Sequence, residues 1–307
     1  MKTQSIDYFG YSGCIALENG VGTRVVLCPQ AGGRVLEYSL NGANAIYLNP
    51  AQQGWLHKPG IPSVDPCGGR LDVGPEMVLP PHPDLWLGDW TGEVVGEGKA
   101  RLTSVRDRVT GLRLVREFAL SPDSSRLVCE QRILNESDKP VTCFHWSRTL
   151  AVGGGIVLIP LTPDSRFPKN YLMYGPGSVM MFKPADPNIR VREGFLEILG
   201  TPANPKLGMD ATAGWFGYLM RNDLLFVKRY PVYPDRVYGE MAGLTISIWY
   251  YKDEMCEIEP IGPRETLAPG ASASFAEEWE LLPLRFPGEK NAVDLGEIKR
   301  LGVGARL

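Results

Sequence analysis

At 307 residues, with 44% hydrophobic and 22% charged side chains, the chain is long and apolar enough to bury a substantial core, which excludes wholesale disorder. Its net charge of -3, with 32 basic against 35 acidic residues and no long run of either sign, excludes the basic stripe expected of a nucleic-acid-binding protein. No stretch approaches the roughly 20 uninterrupted apolar residues of a membrane-spanning helix, so no membrane partner is expected.

Glycine (35) and proline (26) are abundant for a chain of normal apolar content, which predicts many short elements joined by many turns. The N-terminus, Met1-Lys2-Thr3-Gln4-Ser5-Ile6-Asp7, has no apolar core and does not read as a signal peptide, so a cytoplasmic location is expected. The six cysteines are scattered singly, without CxxC or histidine at ligand spacing. They are expected to be reduced, mostly buried thiols, and no metal site is expected.

In chain order, Arg24–Leu27, Arg34–Leu40 and Ala45–Leu48 read as short strands, with Asn41-Gly42 a strong hairpin signal. From Asn49 to Gly92 no periodicity survives for more than a few residues. This stretch is dense in proline and glycine and carries Trp55, Trp86, Trp90, His57 and His82, so an ordered long-loop insertion near a cleft is expected over 49–92. A meander follows, with strands at Arg101–Arg106, Leu112–Leu120, Arg126–Leu134 and Val141–Leu150. The turns Ser121-Pro122-Asp123-Ser124 and Asn135-Glu136-Ser137-Asp138-Lys139-Pro140 separate the later ones. Ile156–Leu161 is a further strand, and 163–205 reads as irregular. Gly214–Met220 and Leu224–Tyr230 form a hairpin, and Leu244–Tyr251, Met255–Glu259 and Ala273–Leu282 close the domain. The reading is a single all-β domain over 1–285, a large sandwich, with 286–307 a polar C-terminal tail.

Three groups of side chains could carry chemistry. His145 shares a strand face with Cys143, Ser147 and Thr149, which is polar and small. That pattern suits either a cleft floor with the imidazole as general acid or a hydrogen-bonded core histidine. Glu257 and Glu259 stand at i and i+2 and so share a face, as a proton-transfer base with a raised pKa or as a solvated outer face. Arg70, Asp72 and Glu76 accompany His82, Trp86 and Trp90 in the long loop. An arginine fork beside indole faces suits a polyhydroxylated ligand, although loop tryptophans also serve as staples. Tyr233-Pro234-Asp235, after Lys228-Arg229, forms a further polar cluster. GxGxxG, P-loop, GxSxG and HExxH motifs are all missing from the sequence.

Three stretches resemble the galactose-mutarotase-like family. They are Asn135-Glu136-Ser137-Asp138-Lys139-Pro140 leading to Phe144-His145, then Cys256-Glu257-Ile258-Glu259-Pro260, and Leu267-Ala268-Pro269-Gly270-Ala271-Ser272. Gly68-Gly69-Arg70 with Gly74-Pro75-Glu76, Phe226-Val227-Lys228-Arg229 with Tyr233-Pro234-Asp235, and Glu257 with Gly262-Pro263 resemble one subgroup of such proteins. The resemblance implies a β-supersandwich and a small-molecule sugar as partner, with no cofactor. It also implies aldose 1-epimerase-type anomer interconversion, in which Glu259, the preferred glutamate because proline follows it, or Glu257 is the base and His145 the acid. Arg70, His82, Trp90, Arg148, Lys228 and Asp235 would contact the sugar. Aldose 1-epimerases typically carry a second active-site histidine near an N-x-x-N-R segment. Here Gly69-Arg70 stands in that region without the asparagines, leaving His82 or His57 as the second histidine. The rival functions are a non-catalytic sugar-binding protein and a polysaccharide lyase-like enzyme using Tyr233 or Tyr171 as base.

Overall fold

The computed structural model describes residues 1–58, 60–177, 179–288 and 292–303. Among these, the strands assemble into two antiparallel sheets. The larger runs β1 (Lys2–Tyr8), β2 (Tyr11–Glu18), β3 (Thr23–Cys28), β4 (Arg34–Leu40), β6 (Gly69–Gly74), β11 (Val141–Val152), β21 (Met255–Pro260), β20 (Ile246–Tyr251), β17 (Lys206–Met209), β13 (Leu172–Tyr174) and β14 (Met180–Met181). Two short strands join it from the side, β5 (Ala43–Asn44) on β4 and β22 (Glu265–Leu267) on β11. The second sheet runs β15 (Ile189–Arg192), β16 (Phe195–Ile198), β12 (Ile156–Pro160), β18 (Trp215–Met220), β19 (Leu224–Arg229), β23 (Ser272–Pro283), β10 (Leu127–Asn135), β9 (Leu112–Leu120), β8 (Lys99–Thr103) and β7 (Thr91–Gly96).

The meander strands β9 and β10 alternate buried with half-buried residues along their whole length, as a sheet with one covered face requires. Asn41 and Gly42 both adopt positive φ, 51° and 81°, the geometry of the tight turn that pairs Leu40 with Ala43. The main core lies between the sheets, where Leu71, Val73 and Cys143 of the larger sheet meet Phe226, Phe275 and Trp279 of the smaller.

Several expectations are corrected. Gly69–Gly74, read as loop, is a fully buried strand at the centre of the larger sheet. It does alternate, with Leu71 and Val73 toward the core and Arg70 and Asp72 on the opposite face, but the run is only four residues between glycines inside a proline-rich stretch. The irregular stretch 163–205 contains the short strands β13 to β16, and the N-terminal residues form β1 and β2. Ala45–Leu48 makes only an isolated bridge, from Ile46 to Ala151. Among its described residues, the expected polar tail is packed in part against the domain. It contains the helix Leu295–Val303, whose Leu295 and Ile298, with Val293, pack against Trp215, Leu219 and Val227 on the outer face of the smaller sheet. Beyond it, the described helices include only the four-residue Pro83–Trp86 and a 3-10 turn at Pro50–Gln52. Among the described residues no helix is long and apolar enough to cross a membrane.

Candidate functional site

The site sits on the face of the larger sheet that points away from the smaller one. Antiparallel register aligns Arg70 of β6 with Arg148 of β11, and Asp72 with Trp146. On the other side of β11, Ser247 of β20 lies opposite Glu259 of β21, and Trp249 lies opposite Glu257. Lys206 of β17 pairs with Trp249. Directly opposed residues share a face, so five adjacent strands present Arg70, Asp72, Trp146, Arg148, Glu257, Glu259, Ser247, Trp249 and Lys206 together. The walls come from 49–92: Ser63–Asp65, Glu76, Leu79–Pro83 and Trp86 rise around this floor and enclose a cleft of about 600 Å³.

A chain of charges crosses the floor. Arg148 Nε donates to Glu257 Oε1 at 2.9 Å and to Glu259 Oε1 at 3.1 Å, and its Nη2 reaches Glu257 Oε2 at 3.4 Å. Its Nη1 lies 3.7 Å from Asp72, and Asp72 Oδ1 lies 3.1 Å from His82 Nε2. The second imidazole nitrogen, Nδ1, is 2.8 Å from the carbonyl of Pro80. Burial works against a charge on His82, but the hydrogen bond and charge of Asp72 prevail and raise its pKa. Burial likewise opposes the Asp72 anion, and His82, Arg148 and Arg70 outweigh it, so its pKa is lowered. Arg70 pairs with Asp65 at 2.7 Å, donates to the carbonyl of Pro66 and stacks over Trp86 at 5.4 Å. Burial, reinforced by the charge of Glu257, pushes Glu259 up to about 8.

Among the residues expected to form the site, the fold brings Arg70, His82, Arg148 and Glu257 to the cleft lining. Glu259 shares their face and, like Glu257, is almost wholly buried, but of the two only Glu257 lines the cleft. The others lie elsewhere. His145 points to the opposite face of β11, between the sheets, where its ring stacks on Phe275 at 5.8 Å between centroids. It is wholly buried, and desolvation lowers its pKa to about 4, so it stays neutral at physiological pH. The expectation that it is the acid of the site is therefore corrected. The small polar face that suggested a cleft floor instead meets a buried polar network. In that network Lys228 Nζ donates to Thr149 at 2.8 Å and pairs with Glu277 at 3.1 Å, while Gln131 and Trp279 also donate to Glu277.

Lys228 is thus a core residue, not a sugar ligand. Trp90 is a staple. Its Nε1 donates to the Leu85 carbonyl at 2.9 Å, and its ring lies over Gly33, where any Cβ would fall 2.4 Å from the indole. Asp235 is exposed and lies outside the cleft lining. His57 borders a separate depression with Asp84 and Asp107. Tyr171 is buried in the main core and Tyr233 is exposed, so neither reaches the cleft as a lyase base. Sequence reasoning passed over Trp249 and Lys206 as site residues. Only strand pairing reveals them, with Trp249 opposite Glu257 and Lys206 opposite Trp249. Among the described residues no cluster of three or more His, Cys, Asp or Glu side chains could hold a metal ion. The six cysteines are all free and buried.

No family model and no curated protein sequence matches the chain. Solved structures share its fold at low identity. A protein from Synechocystis sp. PCC 6803 superimposes with a TM-score of 0.61 at 15% identity, over 91% of this chain and 99% of its own. A galactose mutarotase-like protein from Lactobacillus casei ATCC 334 gives 0.60 at 12%, covering 88% of this chain and 100% of its own. A candidate aldose 1-epimerase from Escherichia coli K12 gives 0.59 at 12%, over 88% and 98%. The chain thus has the galactose-mutarotase-like β-sandwich fold.

Proposed function

We propose that the cleft binds an aldose and interconverts its anomers, with Glu257 as proton acceptor and His82 as proton donor. Glu257 takes the proton from the anomeric hydroxyl, and the C1–O5 bond breaks as His82 protonates the ring oxygen. The open aldehyde rotates about C1–C2, and the reverse transfers close the ring on the other face. Arg70 and Lys206 supply donors to ring hydroxyls, and Trp86 and Trp249 offer indole faces to ring C–H groups. Each positioned acid or base contributes on the order of 10²–10⁴ in rate.

The observation that supports this reading is the bridge across the cleft floor from an Arg148-paired carboxylate to a histidine held toward its charged form. A donor and an acceptor on one surface are what ring opening needs, and the fold is one shared with mutarotase-like proteins. A second reading, sugar binding without turnover, draws on His82 having both nitrogens already engaged by Asp72 and Pro80. NMR saturation transfer between anomers across a panel of aldoses separates the two. Anomer exchange that is lost in Glu257→Gln and in His82→Gln, with binding retained, supports the enzyme. Saturable binding with no exchange by the native protein supports the binder.

A further inference from the structure

We infer that Glu257 and Glu259 form a pair that holds a single proton, with Glu259 the protonated member and Glu257 the anion presented to the cleft. The consequences for catalysis rest on the reading above, but the pairing itself rests on geometry.

The two Oε1 atoms lie 2.9 and 3.1 Å from the same nitrogen, Nε of Arg148, so one N–H is divided between two carboxyl groups. The division is unequal. Glu257 gains a further contact from Nη2, while Nη1 turns toward Asp72. Glu259 Oε2 is buried and makes no hydrogen bond among the described residues, and the Ser247 hydroxyl directly opposite is near enough only to lower its pKa. An anionic oxygen stranded in this way is costly, whereas the neutral acid has lost its charge and gains a proton to donate.

Charge counting leads to the same place. Along the bridge, Arg148 and His82 face three carboxyl groups, Asp72, Glu257 and Glu259. Arg148 balances one glutamate anion while Asp72 is held by its hydrogen bond to His82, and one proton settles the other glutamate. The other elements packed against Glu259 do not replace that proton. Lys206 of β17 lowers its pKa but makes no ion pair with it within 4.0 Å among the described residues. Tyr174 of β13 feels the charge of Glu259, and Glu240, whose own pKa is raised by burial, adds further acidity nearby. Cys256 is buried on the opposite face of β21. Glu259 is therefore a positioning residue. Kept neutral, it leaves Arg148 to Glu257 and holds that carboxylate as the one base of the site.

The direct test is a carboxyl-carbon NMR titration of protein labelled at glutamate. One resonance should titrate near pH 8 and should vanish in Glu259→Gln. In Glu257→Gln the same resonance should titrate lower by roughly one pH unit or more, because the neighbouring anion is gone. A native protein with no glutamate titrating above pH 6, or a resonance near pH 8 that survives Glu259→Gln, would overturn the pair, with Glu240→Gln used to identify the separate raised signal of Glu240. The kinetic companion is the pH profile of anomer exchange, whose alkaline limb should lose its component near pH 8 in Glu259→Gln and keep the one set by His82 as proton donor. An unchanged limb in that variant would also overturn it. If the native protein exchanges no sugar, the proposed activity fails while the titration still decides the pairing.

Discussion

Replacing His145 with phenylalanine separates a core role from a catalytic one, because the two roles make opposite demands on the ring. The imidazole stacks on Phe275 between the sheets, and both its nitrogens are buried without a side-chain partner among the described residues. Desolvation brings its pKa from 6.5 down to about 4. The unfolded chain therefore binds a proton near pH 6.5 that the folded chain refuses until about pH 4. Between those values the unfolded state holds more protons, and stability rises with pH. At ~1.4 kcal/mol per pH unit, the native protein forfeits about 3 kcal/mol from this one group as pH falls from 6.5 to 4, and nothing from it above that window. His145→Phe keeps an aromatic ring against Phe275 and removes the titrating group. Repacking costs the variant a roughly constant 1–3 kcal/mol. Urea denaturation of both proteins at intervals from pH 4 to 8 gives the difference directly. Native stability minus variant stability should fall by about 3 kcal/mol on going from pH 6.5 to 4. Parallel curves over that window would refute the placement. So would a variant whose stability profile matches the native one but whose anomer exchange is lost.

Arg148→Met removes the cation shared by Asp72, Glu257 and Glu259 and should cost about 3–5 kcal/mol in urea denaturation, together with ligand binding; a loss under about 1 kcal/mol would contradict the bridge. Trp86 and Trp90 should behave as opposites. Trp90→Ala empties a core site and is expected to lose about 3–5 kcal/mol of stability. Trp86→Ala, at the cleft, should leave melting nearly unchanged and weaken sugar binding by about 1 kcal/mol, read by isothermal titration calorimetry. Ile298→Ala should destabilise the protein by roughly 2–5 kcal/mol, because the terminal helix buries that side chain against the sheet. A neutral result would mean that the segment behaves as the solvated tail its composition suggests.

Much of the β architecture is written in local pattern. The alternation of Leu112–Leu120, the Asn41-Gly42 turn and the face shared by Glu257 and Glu259 depend only on side-chain period and backbone preference, which neighbours in sequence supply. The resemblance in Asn135–Pro140 and Cys256–Pro260 carried the supersandwich, and the long loop carried the cleft walls. Alternation divides a strand into two faces, but it does not say what each face will meet. On β11 the small polar set of Cys143, His145, Ser147 and Thr149 suited either a cleft floor or the core. The fold turns that set toward the core and gives the cleft floor the face with Trp146 and Arg148. It does so through partners that local sequence cannot see: Phe275 lies 130 positions from His145, and Glu257 lies 109 from Arg148. Depth was equally out of reach. Glu257 and Glu259 share one face, and only the loops and cross-strand neighbours above them leave the first at the cleft and the second beneath it. A strand's period is a property of its own backbone, whereas the burial and charge of its side chains belong to whichever distant surfaces close over it.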